Sequence, residues 1–378
     1  LGQGGENRMD IAQAITHPLL AGKTILQVSL GTDHMLVLTN NGEIYGWGGN
    51  GESQLGQNFG NGDFDNPKLI NEAALDTATI VQVIAGNYFS MFLSEKGTLF
   101  VLGQNDNGFM GIGTTGRITT PTPIHNSLLI GEKITKVSSS ISHKIVLTES
   151  NKVFAFGSNS NGQLGDGSTN STFVPVESTS SFMGKTIVEI ATAEGSSAAV
   201  ASDGTLFTWG NFRSPLGLGR IFADVRTPTI VTAGITGKSI SKVSVPTSKL
   251  EGLLVVATDG TVFMAGESSP IFGLTAQDSI LVQIPASQFD NKPIVDASIS
   301  FGLSLFIATD GSLFGAGENA GTGYNATTNR ALPLNTDYLQ GKTIEKIVTG
   351  NNNGALIATD GTLFWFRSVK EITKSLLG

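Results

Sequence analysis

The sequence predicts an all-β protein: a seven-bladed β-propeller closed by its own N-terminal segment, which completes the last blade. Three observations predict it. A turn followed by an apolar strand recurs at a steady period, every recurrence shares one short-strand grammar, and the two chain ends supply complementary parts of a single repeat.

The period comes first. "NNGEIYGWG", "EKGTLFVLG", "ESNKVFAFG", "SDGTLFTWG", "TDGTVFMAG", "TDGSLFGAG" and "TDGTLFWFR" place turn residues at Gly42, Gly97, Asn151, Gly204, Gly260, Gly311 and Gly361. The spacings are 55, 54, 53, 56, 51 and 50 residues. The repeats divide the chain into blades at about 22–74, 75–129, 130–182, 183–235, 236–289, 290–339, and 340–378 plus 1–21.

Within a repeat, the first strand follows a lead-in such as "GKTILQVSLG" or "GKTIVEIATA", and the second reads "HMLVLT", "HKIVLT" or "SLFIAT". Asp-Gly and Asn-Gly pairs then predict a two-residue hairpin turn into the third strand, because those residues tolerate positive φ. A glycine, a polar loop with a lone apolar-Gly pair and a proline-containing extended segment such as "STFVPVES" end the repeat. Leu164 in "NSNGQLGDGST" is read as an anchor pinning that loop, with Leu55, Met110, Leu216 and Phe272 in the equivalent place. Small residues on the second strands (Ser197, Ala198, Ala199, Gly302, Gly354, Ala355) are expected at the crowded centre. Three or four short strands cannot bury both faces alone, so the units must pack around an axis.

The ends complete the count. The repeat after Gly361 lacks its loop and last strand, and the chain opens with "LGQGGENRMDIAQAI", which parallels "LGDGSTNSTFVPVES". Wrapping from Gly361 to Gly42 gives 59 residues, close to the other spacings. Closure of this kind removes free sheet edges. The tail "SVKEITKSLLG" reads as a short helix or a variant strand.

Composition agrees and excludes. Glycine is 48 of 378 residues, near twice the usual share, and charged residues are 14%, against about 25% in average proteins. With 39% hydrophobic residues the chain is no disordered segment, so its glycines serve turns. A net charge of −8 argues against broad binding to nucleic acid or anionic membrane. No apolar run approaches a membrane span, and no secretory leader opens the chain. It starts at Leu1, as a processed product or part of a longer protein would. Cysteine is absent, which excludes disulfides and thiolate metal sites. A polar coat of Ser, Thr, Asn and Gly favours an extracellular or cell-surface setting over a cytoplasmic one.

The phrases "GTDHMLVLTNNGEIYGWGGNGESQLGQ" and "SISHKIVLTESNKVFAFGSNSNGQLGDGST" resemble the regulator-of-chromosome-condensation repeat family. The resemblance lies in the histidine before the second strand (His34, His143), the turn glycine, the aromatic-Gly end of the third strand and the Gln-Leu-Gly loop. It covers essentially the whole chain and erodes in repeats five to seven. It implies a seven-bladed propeller whose terminal segments share a blade, and a range of functions: nucleotide exchange on a small GTPase, modules within ubiquitin ligases, kinases or channels, inhibition of β-lactamases, and injected bacterial effectors.

The residues themselves point to a non-catalytic protein-binding scaffold without cofactor or metal. His34 and His143, in separate blades, read as structural residues bonding the backbone within their own blades. His17 and His125 lack ligand spacing. Asp63 and Asp65 in "NGDFDNP" lack the further ligands of a calcium loop and read as a solvated turn. Each Gly-Lys-Thr recurs as a strand lead-in, so none is a phosphate loop. "GNFRSPLGLGRIFADVR" places Phe212, Arg213, Arg220, Phe222 and Arg226 where other blades have Asn, Ser and Gly, and "NDNGFMG" adds Phe109. Aromatic and Arg side chains dominate binding hot spots, which makes these six the candidate partner-binding residues. Asn170 and Asn325 are glycosylation sequons in a secretory setting. The alternatives are a guanine-nucleotide exchange factor, for which no wedge-length insertion is evident, an enzyme inhibitor, or an enzyme with acidic or histidine side chains on its inner strands.

Overall fold

Alternating β-branched and aromatic residues between glycine turns commit each repeat to strands, and each repeat forms one four-stranded antiparallel sheet, seven in all. The computed structural model describes residues 13–57, 60, 62–75, 78–178, 182–211, 216–219, 223–246, 252–266, 279–300, 303–317, 328–334, 336–350 and 353–367. In blade 1 the strands are Ile25–Leu30, His34–Thr39, Ile44–Gly49 and Asp63–Leu69, side by side in chain order. Blades 2 to 6 repeat that order. Blade 7 takes Ile344–Gly350, Asn353–Ala358 and Leu363–Arg367 from the end of the chain and its fourth strand, Gln13–Ala14, from the beginning. Gln13 lies opposite Trp365, Ala14 lies opposite Phe364, and Ile15 N–H donates to Leu363 C=O at 2.9 Å. The ring is therefore closed by the N-terminal segment. Residues 1–12, the tail 368–378, Phe272, Gly302 and Asn325 lie outside the described residues.

The hairpins differ from the two-residue turn the sequence suggested. Gly42 N–H donates to Thr39 C=O at 3.0 Å and Thr39 N–H to Glu43 C=O at 3.0 Å, which encloses three residues. Gly42 has φ +81°, whereas Asn41 is not in the left-handed region, so a type I turn followed by a bulge glycine replaces the mirror-image turn. The other six turn residues share that positive φ, including Asn151 at +64°. The preceding aspartate has its own work. Asp203 Oδ1 accepts from Thr205 N–H at 3.0 Å, as Asp259, Asp310 and Asp360 do from the residue two beyond them. Their other carboxylate oxygens pair with the lead-in lysines Lys185, Lys238, Lys292 and Lys342. This pairing is what the Gly-Lys lead-in is for. The lysine hydrogen bond holds Asp203, Asp259 and Asp360 down at about 2.

The strands nearest the axis are the first of each blade, not the second. Each first strand touches the first strand of the neighbouring blade, while the second strands lie fully buried between two sheets. A bulge at the start of every first strand, as between Ile25 and Gln27, carries one polar side chain across the seam. Gln27 Nε2 donates to Val83 C=O at 2.9 Å, Gln82 Nε2 to Val137 C=O at 3.1 Å and Lys346 Nζ to Leu26 C=O at 2.9 Å. Lys136 pairs with Glu189 at 2.8 Å and Lys242 with Asp296 at 3.2 Å. The apolar core is built from these seams: Leu147, Ala155 and Leu164 of blade 3 pack with Ala199, Phe207 and Trp209 of blade 4. The outer strands carry Pro67, Pro121, Pro175 and Pro228, which remove an N–H from the exposed edge.

One seam breaks the pattern. Lys144, at the second-strand position that is Ser90 in blade 2 and Ser197 in blade 4, is 1% exposed with its ammonium 4.3 Å from the Phe89 ring centroid. Burial pushes Lys144 down to about 7 from 10.5. The unfolded chain thus holds more protons than the folded one between about pH 7 and 10.5, and stability from this group rises with pH across that window. The desolvation penalty is felt in full below pH 7, offset in part by the aromatic face. Lys144→Met should raise the melting temperature at pH 6.5, by the equivalent of a few kcal/mol on the order of the shift. At pH 10 the gain should shrink. Melting curves at the two pH values check this, and an equal gain at both would refute the buried charge.

Candidate functional site

The loops after the third strands of blades 1, 2 and 3 share one internal knot. Asn159 Oδ1 accepts from Leu164 N–H at 2.9 Å, Asn50 Oδ1 from Leu55 N–H at 2.7 Å and Asn105 Oδ1 from Met110 N–H at 3.0 Å. The same amides donate onward, Asn50 Nδ2 to Gly56 C=O at 3.0 Å and Asn105 Nδ2 to Thr114 C=O at 2.8 Å. All three asparagines are buried, and the apolar residue five positions on is a plug: Leu164 and Leu55 are 0% exposed, Met110 1% and Leu216 4%. Gln163 folds its amide back to accept from Asn161 N–H at 2.9 Å, as Gln54 does from Glu52 N–H. The asparagine was the residue missed in the sequence, although its five-residue offset from the plug repeats in all four blades that keep both.

In blades 1 and 3 the knot is fastened to the next blade through the histidine. Ser197 Oγ donates to Gln163 C=O at 2.8 Å, so its oxygen accepts from His143 Nε2 at 2.8 Å, which fixes the Nε2–H tautomer. Ser90 links Gln54 C=O at 2.6 Å and His34 Nε2 at 3.0 Å in the same way. The histidines thus bond serines one blade away, rather than the backbone of their own blade. Burial drives His143 down to about 3, with the Lys144 charge adding to it, so the ring stays neutral. Gln163 C=O also accepts from Trp209 Nε1 at 2.9 Å. Gly165 must be glycine here, since a Cβ would sit 2.8 Å from that indole nitrogen at φ +75°.

Asp33, His34 and Ser90 form a line that looks like a hydrolytic triad, with His34 Nδ1 3.4 Å from Asp33 Oδ1. Ser90 is 0% exposed and its proton is committed to Gln54 C=O. A nucleophile needs that proton handed to the histidine and a substrate within reach, and this serine has neither. Among the described residues no group of three or more His, Asp or Glu could hold a metal. Asp63 and Asp65 are exposed on the outer strand of blade 1, not in a turn, and His17 caps a short 3-10 turn by accepting from Leu19 N–H. His125 is exposed.

Of the predicted partner-binding residues, Phe212, Arg213, Arg220 and Phe222 lie outside the described residues. Phe109 and Arg226 occupy equivalent seams one blade apart and are not brought together. Phe109 stands where blades 1 and 3 have their folded-back glutamine. It is half-buried, with its ring 6.4 Å from Phe173 on the outer strand of blade 3. Phe173 is 42% exposed and Val174 37%. Gly113 N–H donates to Phe173 C=O at 2.8 Å, which fastens the loop to that strand. Arg226 takes the place of Phe173 in blade 4: its C=O accepts from Gly167 N–H at 3.0 Å and its side chain is exposed. Phe173 was missed because "STFVPVES" reads as a connection; the signal was two adjacent apolar residues on an edge strand.

A closed seven-bladed propeller with loops stitched across the seams defines the class. The chain belongs to the RCC1-like domain family, whose model matches residues 1–249. It is 29% identical over 303 residues to the ultraviolet-B receptor UVR8 of Arabidopsis thaliana, a match covering 79% of this chain and 66% of that protein. It is 26% identical over 340 residues to the human E3 ubiquitin-protein ligase HERC2, covering 88% of this chain and 7% of the relative. Its fold is that of human WBSCR16, with TM-score 0.76 at 19% identity over 92% of this chain and 88% of the other. Yeast RCC1 (Prp20), solved bound to Kap60, gives TM-score 0.71 at 17% identity over 92% and 81%. The chain thus spans about two thirds of UVR8 and a small fraction of HERC2.

Two substitutions test the stitching. Asn159→Ala removes the centre of one knot and should cost about 1–3 kcal/mol, because Leu164 N–H is left buried without an acceptor. Hydrogen exchange at Leu164 should accelerate, while Leu55, in a separate knot, should be unchanged. Ser197→Ala orphans His143 Nε2–H and should cost a similar amount. A change under about 0.5 kcal/mol for both variants in chemical denaturation would contradict this account.

Proposed function

We propose that the protein is a non-catalytic protein-interaction scaffold that docks a partner across the loop face. The observation that carries this is the Phe109–Phe173 pair: two aromatic rings at one seam, one of them 42% exposed, held on backbone that is hydrogen-bonded into the blades. Rigid aromatic groups lose little conformational freedom on binding and are favoured at hot spots. The titratable side chains nearest the axis support a non-enzymatic reading, since Lys136, Glu189, Lys242 and Asp296 are spent on each other. Among the described residues no helix is long and apolar enough to cross a membrane. Yeast RCC1 was solved with a protein partner, Kap60, which is in keeping with this reading.

Affinity capture from the native source with the full chain as bait tests it. The double variant Phe109→Ala, Phe173→Ala should lower recovery of the specific partner about tenfold or more, the loss of one hot spot. Arg226→Ala, one seam away, separates a broad platform from a local patch. Recovery unchanged by all three substitutions would overturn the loop-face assignment. Release of labelled GDP from small GTPases in the presence of the chain tests the exchange-factor alternative.

A further inference from the structure

The seam between blades 2 and 3 encloses a charge that nothing there neutralises. Lys144 stands opposite Phe156 in the pairing of the second and third strands of blade 3, so both side chains leave the sheet on the side that faces blade 2. There the ammonium meets the face of Phe89, 4.3 Å from the ring centroid, on a residue that is 1% exposed. The elements packed around it bring no carboxylate to it. The strands Phe89–Ser94 and Ile118–Pro123 of blade 2 and Val153–Gly157 of blade 3 carry no ionisable side chain. On the strand Ile134–Ser139, Lys136 is held by Glu189 of blade 4. On the strand of Lys144 itself, His143 turns the other way, to Ser197. In the connections of blade 2, Asp106 accepts from Gln104 Nε2 at 3.2 Å, Arg117 pairs with Glu52 at 3.0 Å, and Tyr88 carries a phenol.

The same seam holds the aromatic pair together. A Cβ on Gly111 would meet the Phe156 ring at 2.7 Å, so the blade 2 loop is seated on the side chain beside Lys144. Two residues further on, Gly113 N–H crosses to Phe173 C=O at 2.8 Å. The Phe173 ring in turn covers Gly108, 2.8 Å from where a Cβ would stand. One blade on, Gly167 N–H crosses to Arg226 C=O at 3.0 Å in the same way, over a seam whose corresponding side chain is Ser197. The two crossings differ in what lies beneath them: an ammonium in one, a hydrogen-bonded hydroxyl in the other.

We propose that this seam is a proton-operated latch: uptake of a proton by Lys144 opens it at the loop face and parts Phe109 from Phe173. A neutral amine sits in an apolar seam at little cost. An ammonium without a counter-ion does not, and the aromatic face offsets only part of its lost hydration. The charged form gains by swinging into water, and the blade 2 loop must lift to let it. Burial pushes Lys144 down to about 7 from 10.5, so the open seam holds the proton more tightly than the closed one. Between about pH 10.5 and 7 the closed seam therefore weakens about tenfold for each unit of falling pH, and below about 7 the loss levels off. What the opening does to docking rests on the protein-binding reading above: a partner gripped by both rings is released on mild acidification. The opening itself does not depend on that reading.

Amide hydrogen exchange of the full chain, corrected for intrinsic rates, tests the latch without any partner. Protection of Gly113 N–H should fall about tenfold from pH 8 to pH 6 and level off below about pH 7, while Gly167 N–H keeps its protection. Lys144→Met should make the Gly113 protection flat across that range. Should this variant not fold, Phe89→His with Lys144→Ser, which installs the side chains of the neighbouring seams, should do the same. No fall at Gly113, a fall that survives removal of the lysine, or an equal fall at Gly167 would each overturn the latch, the last by showing that the whole fold and not one seam responds. The docking reading is scored separately, by partner recovery with the phenylalanine variants, so either can fail without the other.

Discussion

The seam between neighbouring blades is the constraint on which the rest of this structure depends. Each second strand is buried over its whole length, a state no isolated four-stranded sheet can reach. The apolar clusters accordingly belong to pairs of blades rather than to single ones. Such an arrangement has no natural end until the last sheet meets the first. Gln13, Ala14 and Ile15 supply that meeting by pairing with the strand Leu363–Arg367, which ties residues at opposite ends of the chain into one sheet. Closure is thus a packing requirement before it is a topological feature.

The same seams discipline the loops. A polar loop of a dozen residues would ordinarily wander, but those of blades 1, 2 and 3 are each gathered by one buried asparagine and pinned by one apolar plug. Those of blades 1 and 3 are then fastened to the following blade through a carbonyl, a serine and a histidine. What remains variable is the outward side of the knot, where a side chain can change without disturbing the anchor. The hairpin face works differently. In blades 4 to 7 its lysines and aspartates neutralise each other within the blade, so the surface charge there is local and self-cancelling.

Much of this was legible in the residues because repetition amplifies weak signals. A single Asp-Gly-Thr says little, but seven turns near one spacing fixed the blade count, and the surplus at the front end disclosed the closure. What could not be read were relations across a seam. His143 and Ser197 are 54 positions apart, and nothing local tells a histidine that its partner is the next repeat's serine. The radial order of strands was misjudged because small residues suggested crowding at the axis, whereas the second strands are small where two sheets press together. The turn was misjudged because Asp-Gly suits both a two-residue turn and a three-residue turn with a bulge glycine; the Asx hydrogen bond to the residue two beyond selects the latter. Phe109 could be flagged by composition, but its neighbour Phe173 could not, since the two meet only when blade 3 lies against blade 2.

That last seam is also fastened differently from its neighbours. From blade 1 to 2 and from blade 3 to 4 the fastening consists of a histidine, a serine and the carbonyl of a glutamine whose own amide is folded back. From blade 2 to 3 all three positions change together: Phe89 for the histidine, Lys144 for the serine, Phe109 for the glutamine. The hydrogen-bonded relay gives way to an ammonium over an aromatic face. Replacing the histidine or the serine alone would have orphaned a buried donor or acceptor, so those two substitutions are physically coupled, whereas the carbonyl of the third position is backbone and stays whatever the side chain. At position 109 the side chain before the plug is a phenylalanine, whose ring lies 6.4 Å from Phe173. The same seam thus carries both the aromatic pair and, among the described residues, the one buried lysine, which its burial leaves titrating near neutrality.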